Sequence, residues 1–158
     1  MKKTIIAAIF AAAVLAALPA SAQASGPVNF YIRLGVITDQ NATFNPFLWT
    51  AGANLDINLS DSFFIAADAD VIVHKFNFDP LWLTPSVLLN LRLSSFYIGA
   101  GVSKFVIISG SSTMTSDFLF KANAGLKMDG LKLQVFLYTP FDEMFKDMGI
   151  GANIGFGF

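Results

Sequence analysis

The last eleven residues constrain the fold more than any other stretch. Met148, Ile150, Ala152, Ile154, Phe156 and Phe158 are apolar, and Gly149, Gly151, Asn153, Gly155 and Gly157 stand between them. Such alternation puts one set of side chains on each face of an extended strand and does not fit a helix. The same period recurs along the chain and predicts eight strands, at 28–36, 47–59, 63–73, 83–93, 96–106, 117–128, 131–139 and 148–158. One face of this set is apolar everywhere except at Pro85, Lys104 and Thr139. The other face collects Arg33, Asp56, Asp68, Asp70, Arg92, Lys121, Lys127 and Lys132, together with Asn29, Asn54, Asn58, Asn90, Asn123 and nine glycines.

A chain that is 54% apolar and 13% charged has enough apolar surface to fold and is not disordered. Lys plus Arg number 10 against 11 for Asp plus Glu, with no basic run, so a nucleic-acid partner is not expected. With Cys 0 and His 1, there is no disulfide, no thiolate nucleophile and no poly-histidine metal site. Gly99 to Lys104 lacks the spacing of a phosphate loop, and no cofactor motif is present.

The start of the chain has a different pattern. Met1-Lys2-Lys3 is basic, Ile5 to Leu18 is almost continuously apolar, and Pro19 to Ala24 is rich in small residues with two overlapping A-x-A patterns. This is the layout of a secretory signal peptide, residues 1–24, cleaved after Ala24 or, as the second choice, after Ala22. Residues 25–158 then form one domain. That domain contains no apolar run of about 20 residues, so no helix in it is expected to cross a membrane.

Which face meets which solvent decides the class. A water-soluble barrel points its charges outward, whereas an outer-membrane barrel points them inward and shows lipid an apolar band. The apolar face here is continuous in every strand, and the polar face is dominated by glycine and amides with few charges. Strands of about 9–11 residues suffice to cross a bilayer at a tilt. The connections alternate, long at 37–46, 74–82, 107–116 and 140–147, and short at 60–62, 94–95 and 129–130. Long loops therefore lie at one end and tight turns at the other, the asymmetry of outer-membrane barrels. Two aromatic girdles are expected on the outer face. Phe30, Phe63, Phe96, Phe156 and Phe158 lie at the turn end, and Phe47, Trp49, Phe118 and Phe120 at the loop end. Lys104 sits near the loop end, where a lysine can reach headgroups.

With its signal segment, eight alternating strands and the ending Ile150-Gly-Ala-Asn-Ile-Gly-Phe-Gly-Phe158, the chain resembles the small eight-stranded outer-membrane barrels of Gram-negative bacteria, of the OmpA, OmpX and OmpW types. The resemblance implies an all-β, eight-stranded antiparallel up-and-down transmembrane barrel in the outer membrane. It also implies that Ile154, Phe156 and Phe158 act as an assembly signal read by the outer-membrane assembly machinery. Lipid and lipopolysaccharide are the implied surroundings. Because the chain stops at Phe158, no periplasmic peptidoglycan-binding domain is expected, and the loops are short for an OmpX-like adhesin.

Eight strands leave a lumen just wide enough to be filled by side chains. Arg33, Asn54, Asp56, Asp68, Asp70, Arg92 and Lys121 are expected to form an interior polar network. That network is read as a salt-bridged plug, with a narrow porin-like channel as the alternative. His74, at the loop end of the third strand with Thr113 and Thr115 near, is the one candidate general base for a lipid A-modifying enzyme. No serine occupies a matching strand position beside it, and a structural or surface-interaction role without catalysis is preferred. A secreted lipocalin-like barrel, with the apolar face turned inward around a ligand, is the non-membrane alternative. Asp142, Glu143, Lys146 and Asp147 read as a solvated loop, and Asn41-Ala-Thr43 carries no expected role.

Overall fold

The computed structural model describes residues 27–39, 41, 48–74, 77–144 and 147–158, with only the backbone described at 74, 77 and 78. The expected signal peptide and Phe47 lie outside the described residues. Eight strands follow in order: β1 (Val28–Asp39), β2 (Leu48–Asn58), β3 (Phe63–His74), β4 (Asn77–Leu93), β5 (Phe96–Ser109), β6 (Ser112–Met128), β7 (Leu131–Pro140) and β8 (Gly149–Gly157). Each pairs antiparallel with its sequence neighbours, and β8 returns to pair with β1, which closes the barrel. Closure leaves no open edge through the middle of the sheet. At the seam Ile32 stands opposite Phe156 and Leu34 opposite Ile154, and the Phe158 amide donates to the Phe30 carbonyl at 3.0 Å.

The turn end is built from short polar connections. Ser60 Oγ accepts the amides of Ser62 (3.3 Å) and Phe63 (3.1 Å). Gly130, in the tight turn between β6 and β7, has φ +68°, a conformation that suits a residue without Cβ.

At the opposite end the structure corrects the sequence reading. β4 begins at Asn77 rather than 83, β5 runs on to Ser109, and β6 begins at Ser112 rather than 117. The expected long loops 74–82 and 107–116 are therefore mostly strand, with connections of only 75–76 and 110–111. The ladder continues as Ile107 opposite Met114 and Ile108 opposite Thr113. The extension was invisible to periodicity because Ser112, Thr113, Thr115 and Ser116 carry no contrast between faces, and irregular pairing near Lys104–Val106 and Ile72–His74 shifts the frame.

The two faces of the wall are opposite in character. Val87, Leu89 and Val135 point outward, each more than half exposed, while Asp56, Lys121 and Lys132 point inward with no exposure at all. Along β4 the alternation holds from Thr84 to Asn90, where Thr84, Ser86, Leu88 and Asn90 are buried and Pro85, Val87 and Leu89 are exposed. Among the described residues no helix is long and apolar enough to cross a membrane.

Candidate functional site

The polar residues of the inner face meet in the lumen, in three layers. At the loop end Ile37, Ile72, Leu119, Phe136 and Tyr138 pack together, with Leu48 and Phe105 against them. These side chains come from strands on opposite sides of the barrel and form an apolar seal.

Beneath the seal lies a charge network. Arg33 on β1 donates from Nη2 to Asp70 Oδ2 at 2.6 Å, and its Nη1 lies 3.1 Å from Asp68 Oδ1, close enough for an ion pair though not aligned as a hydrogen bond. Lys121 on β6 reaches across the lumen to Asp68 Oδ2 at 2.7 Å and to Ser86 Oγ at 3.1 Å, with Asp70 Oδ2 at 4.0 Å. Asp68 is thus held by cations on opposite walls. All four groups are buried. A carboxylate taken from water is tolerated only with such pairing.

Towards the turn end a second network forms around Asp56. Lys132 on β7 donates to Asp56 Oδ1 at 2.7 Å, and Lys127 on β6 donates to Asp56 Oδ2 at 2.9 Å. Asn54 joins the two networks, since its Oδ1 accepts from Lys132 and its Nδ2 donates to Asp68, both at 2.9 Å. An amide can do this because it carries a donor and an acceptor on one carbon. Phe64, Ala66, Leu88 and Tyr97 pack beside this network. Lys132 Nζ lies within 5.1–5.4 Å of the Tyr97, Phe64 and Tyr31 ring centres. Rings at that distance lend an ammonium partial solvation through their negative faces.

Glycine makes room for these long side chains. A Cβ on Gly99 would collide with the Asn90 and Asn123 amides, and one on Gly125 with the Tyr97 hydroxyl. Among the described residues, Asn90 Oδ1, both amide atoms of Asn123, Gln134 Nε2 and Asn153 Oδ1 are buried without a hydrogen-bond partner, as are Asn29 Nδ2 and the Tyr31 hydroxyl on β1.

The structure brings Arg33, Asn54, Asp56, Asp68, Asp70 and Lys121 into one connected system. Arg92 stands apart at the turn-side mouth, where its Nη2 donates to Asn58 Oδ1 at 2.7 Å. Lys127 and Lys132 were placed on the inner face by the alternation, but not in the network. Phe30, Phe63 and Phe96 are exposed around the turn end, and Phe30 lies 6.2 Å from Phe158 between ring centres. Phe156 is half-buried on the same side. Trp49 and Phe118 are exposed at the loop end, and Phe120 is half-buried there, 6.0 Å from the Phe141 ring. Trp82, in the segment that reads as a loop, stands opposite Ile72 and is therefore on the lumen-side face at the loop-end mouth and not in the outer girdle. Lys104 Nζ lies 5.1 Å from the Phe118 ring centre. The His74 backbone ends β3 opposite Asn77. Among the described residues no cluster of three or more His, Asp or Glu could hold a metal.

The chain is an all-β, eight-stranded closed antiparallel barrel with an apolar exterior and a charged lumen. No family model matches it, and no curated protein matches it. Among solved structures it is similar to a chain described as "De novo design of transmembrane beta-barrels", at TM-score 0.47 and 10% identity, over 87% of this chain and 100% of that one.

Proposed function

We propose that this protein is an integral outer-membrane barrel with a structural or surface-interaction role, closed to solutes by its own interior and without catalytic activity. The observation that supports the reading is the inverted polarity of the wall. Leu89 is 54% exposed at mid-strand while Lys121, in the lumen, is fully buried. Burying an apolar band in lipid removes a large unfavourable contact with water. A lipocalin-like barrel needs the reverse arrangement, with the apolar face inside.

In this reading residues 1–24 are a signal peptide. Phe30, Phe63, Phe96, Phe156 and Phe158 mark the periplasmic interface, and Trp49, Phe118 and Phe120 the outer one. Ile154, Phe156 and Phe158 are the strand residues offered to the assembly machinery, and lipopolysaccharide surrounds the loop end. Fractionation followed by electrophoresis of unheated and boiled samples tests the proposal. The protein is expected in the outer-membrane fraction with a mobility that changes on boiling. Recovery in the soluble fraction would contradict it.

A second reading, a narrow porin-like channel, is supported by the amide atoms Asn90 Oδ1, Asn123 Oδ1 and Nδ2, Gln134 Nε2 and Asn153 Oδ1, buried without a partner among the described residues. Buried amides of this kind usually meet ordered water. A thread of water beside the salt bridges would carry small currents, and planar-bilayer recording distinguishes that from a closed plug.

A further inference from the structure

Charge inside the barrel does not balance, and the imbalance is confined to one end. At mid-height Arg33 and Lys121 face Asp68 and Asp70, two cations against two carboxylates. On the turn side Arg92, Lys127 and Lys132 share one interior carboxylate, Asp56, whose two oxygens are already taken by the lysines. Arg92 hydrogen-bonds the neutral Asn58 side chain, and its Nε is buried with no acceptor among the described residues. The Phe64 ring, 5.1 Å from the Arg92 guanidinium carbon, helps to hold the group in place.

Arg92 and Lys127 also line a cavity that opens at the turn-side mouth, together with Ser94, Ser95, Met128 and Asp129. Asp129 adds one rim carboxylate to the cavity, and Asp61 stands on the exposed β2–β3 turn outside the cavity lining, so inside the lumen the three cations still face Asp56 alone. An uncompensated cation removed from water is costly. Ile37, Ile72, Leu119, Phe136 and Tyr138 pack together at the loop end, whereas the cavity beside Arg92 and Lys127 opens at the turn side, from which an anion can reach it. A guanidinium with an open Nε, an ammonium and two rim serines supply several donors, which the several oxygens of a phosphate-type oxyanion can accept.

We propose that the turn-side mouth binds one phosphate-type oxyanion, held by Arg92 and Lys127 with Ser94 and Ser95 at its rim. The same chemistry is offered by free inorganic phosphate and by a phospholipid headgroup at the membrane surface.

Titration calorimetry of the folded protein in non-ionic detergent with inorganic phosphate is the first arm. One saturable site is expected, weakened about tenfold by Arg92→Gln and strengthened about threefold by Asp129→Asn, which removes the rim repulsion. Lys104→Gln, on the outer face, is expected to bind as wild type does. In the second arm, phosphatidic acid is added to phosphatidylcholine micelles and the unfolding temperature is followed. A rise in the wild type that Arg92→Gln lacks, with no saturable free phosphate, assigns the site to a headgroup. Should Arg92→Gln fail to fold, Asp129→Asn decides, because Asp129 is an exposed turn residue. The proposal is overturned if neither probe saturates, or if both variants bind as wild type does. Calorimetry in detergent is independent of membrane orientation, so failure here leaves the membrane reading intact.

Discussion

Lys127 and Lys132 stand directly opposite each other in the β6–β7 ladder, yet both point into the lumen and end on the same carboxylate. Like charges in facing positions destabilise a sheet. Here Asp56 reaches across from β2 and separates the two ammonium groups by giving each its own oxygen. Asp56 therefore ties β2 to the far wall as well as neutralising charge. Asp56→Asn removes the charge with little change of shape and leaves two buried lysines in register. It is expected to lower stability by about 3–5 kcal/mol, measured as urea unfolding from lipid vesicles. Adding Lys132→Met to Asp56→Asn should recover part of that loss, since one of the two unpaired cations is then gone. A single variant as stable as the wild type would show that the lysines do not depend on Asp56.

Arg33 has the corresponding position at mid-height. Arg33→Ala leaves Asp70 with only the distant Lys121 ammonium, at 4.0 Å. The expected cost is again about 3–5 kcal/mol. Truncation would also open space beside Gly155, against which the Arg33 side chain packs, so ion leak through planar bilayers is expected to rise above that of the wild type. Large, steady currents from the wild type itself would instead favour the channel reading.

The barrel seam gives a third prediction. The Phe158 amide bonds the Phe30 carbonyl, and the two rings lie side by side on the outer face. Deleting Phe158 removes one seam hydrogen bond and a girdle ring. Slower assembly and less folded protein in the outer membrane are expected, followed by pulse-chase and heat-modifiable mobility. An unchanged folded yield would argue against any role for this residue in assembly.

The strands and the assignment of their faces were legible because alternation records the contrast between two environments along the whole wall. Counting from the turns sets Arg33, Asn54 and Asp68 at one height, with Asp70 an equal candidate partner for Arg33. The ladder instead levels Arg33 with Gly52 and Asp70, and Asn54 with Tyr31 and Asp68, a two-residue offset that comes from the stagger of a closed barrel. Two things were not legible. The outer parts of β4 and β6 have no contrast between faces, so Ser112 to Thr115 read as loop although they pair with Val106 to Ser109. The partners of Asp56 lie across the lumen on β6 and β7. Their meeting depends on barrel width and on the reach of a lysine side chain, and neither is written in strand periodicity.

The apolar exterior makes a fourth prediction. Leu89→Arg places a charge at mid-strand on the apolar exterior and is expected to cost about 2–4 kcal/mol at the bilayer midplane. Refolding yield and urea midpoint in vesicles report it. If the exterior faced water, the substitution would be close to neutral.

Because the chain has Cys 0, single cysteines can be introduced without background, and they test the inverted wall most directly. Leu89→Cys reports the apolar exterior, and Ser111→Cys reports the exposed connection between β5 and β6. In intact vesicles the account predicts that a membrane-impermeant maleimide labels the Ser111→Cys protein quickly and leaves the Leu89→Cys protein unlabelled until the lipid is dissolved. Equal labelling of both proteins before the lipid is dissolved would contradict it.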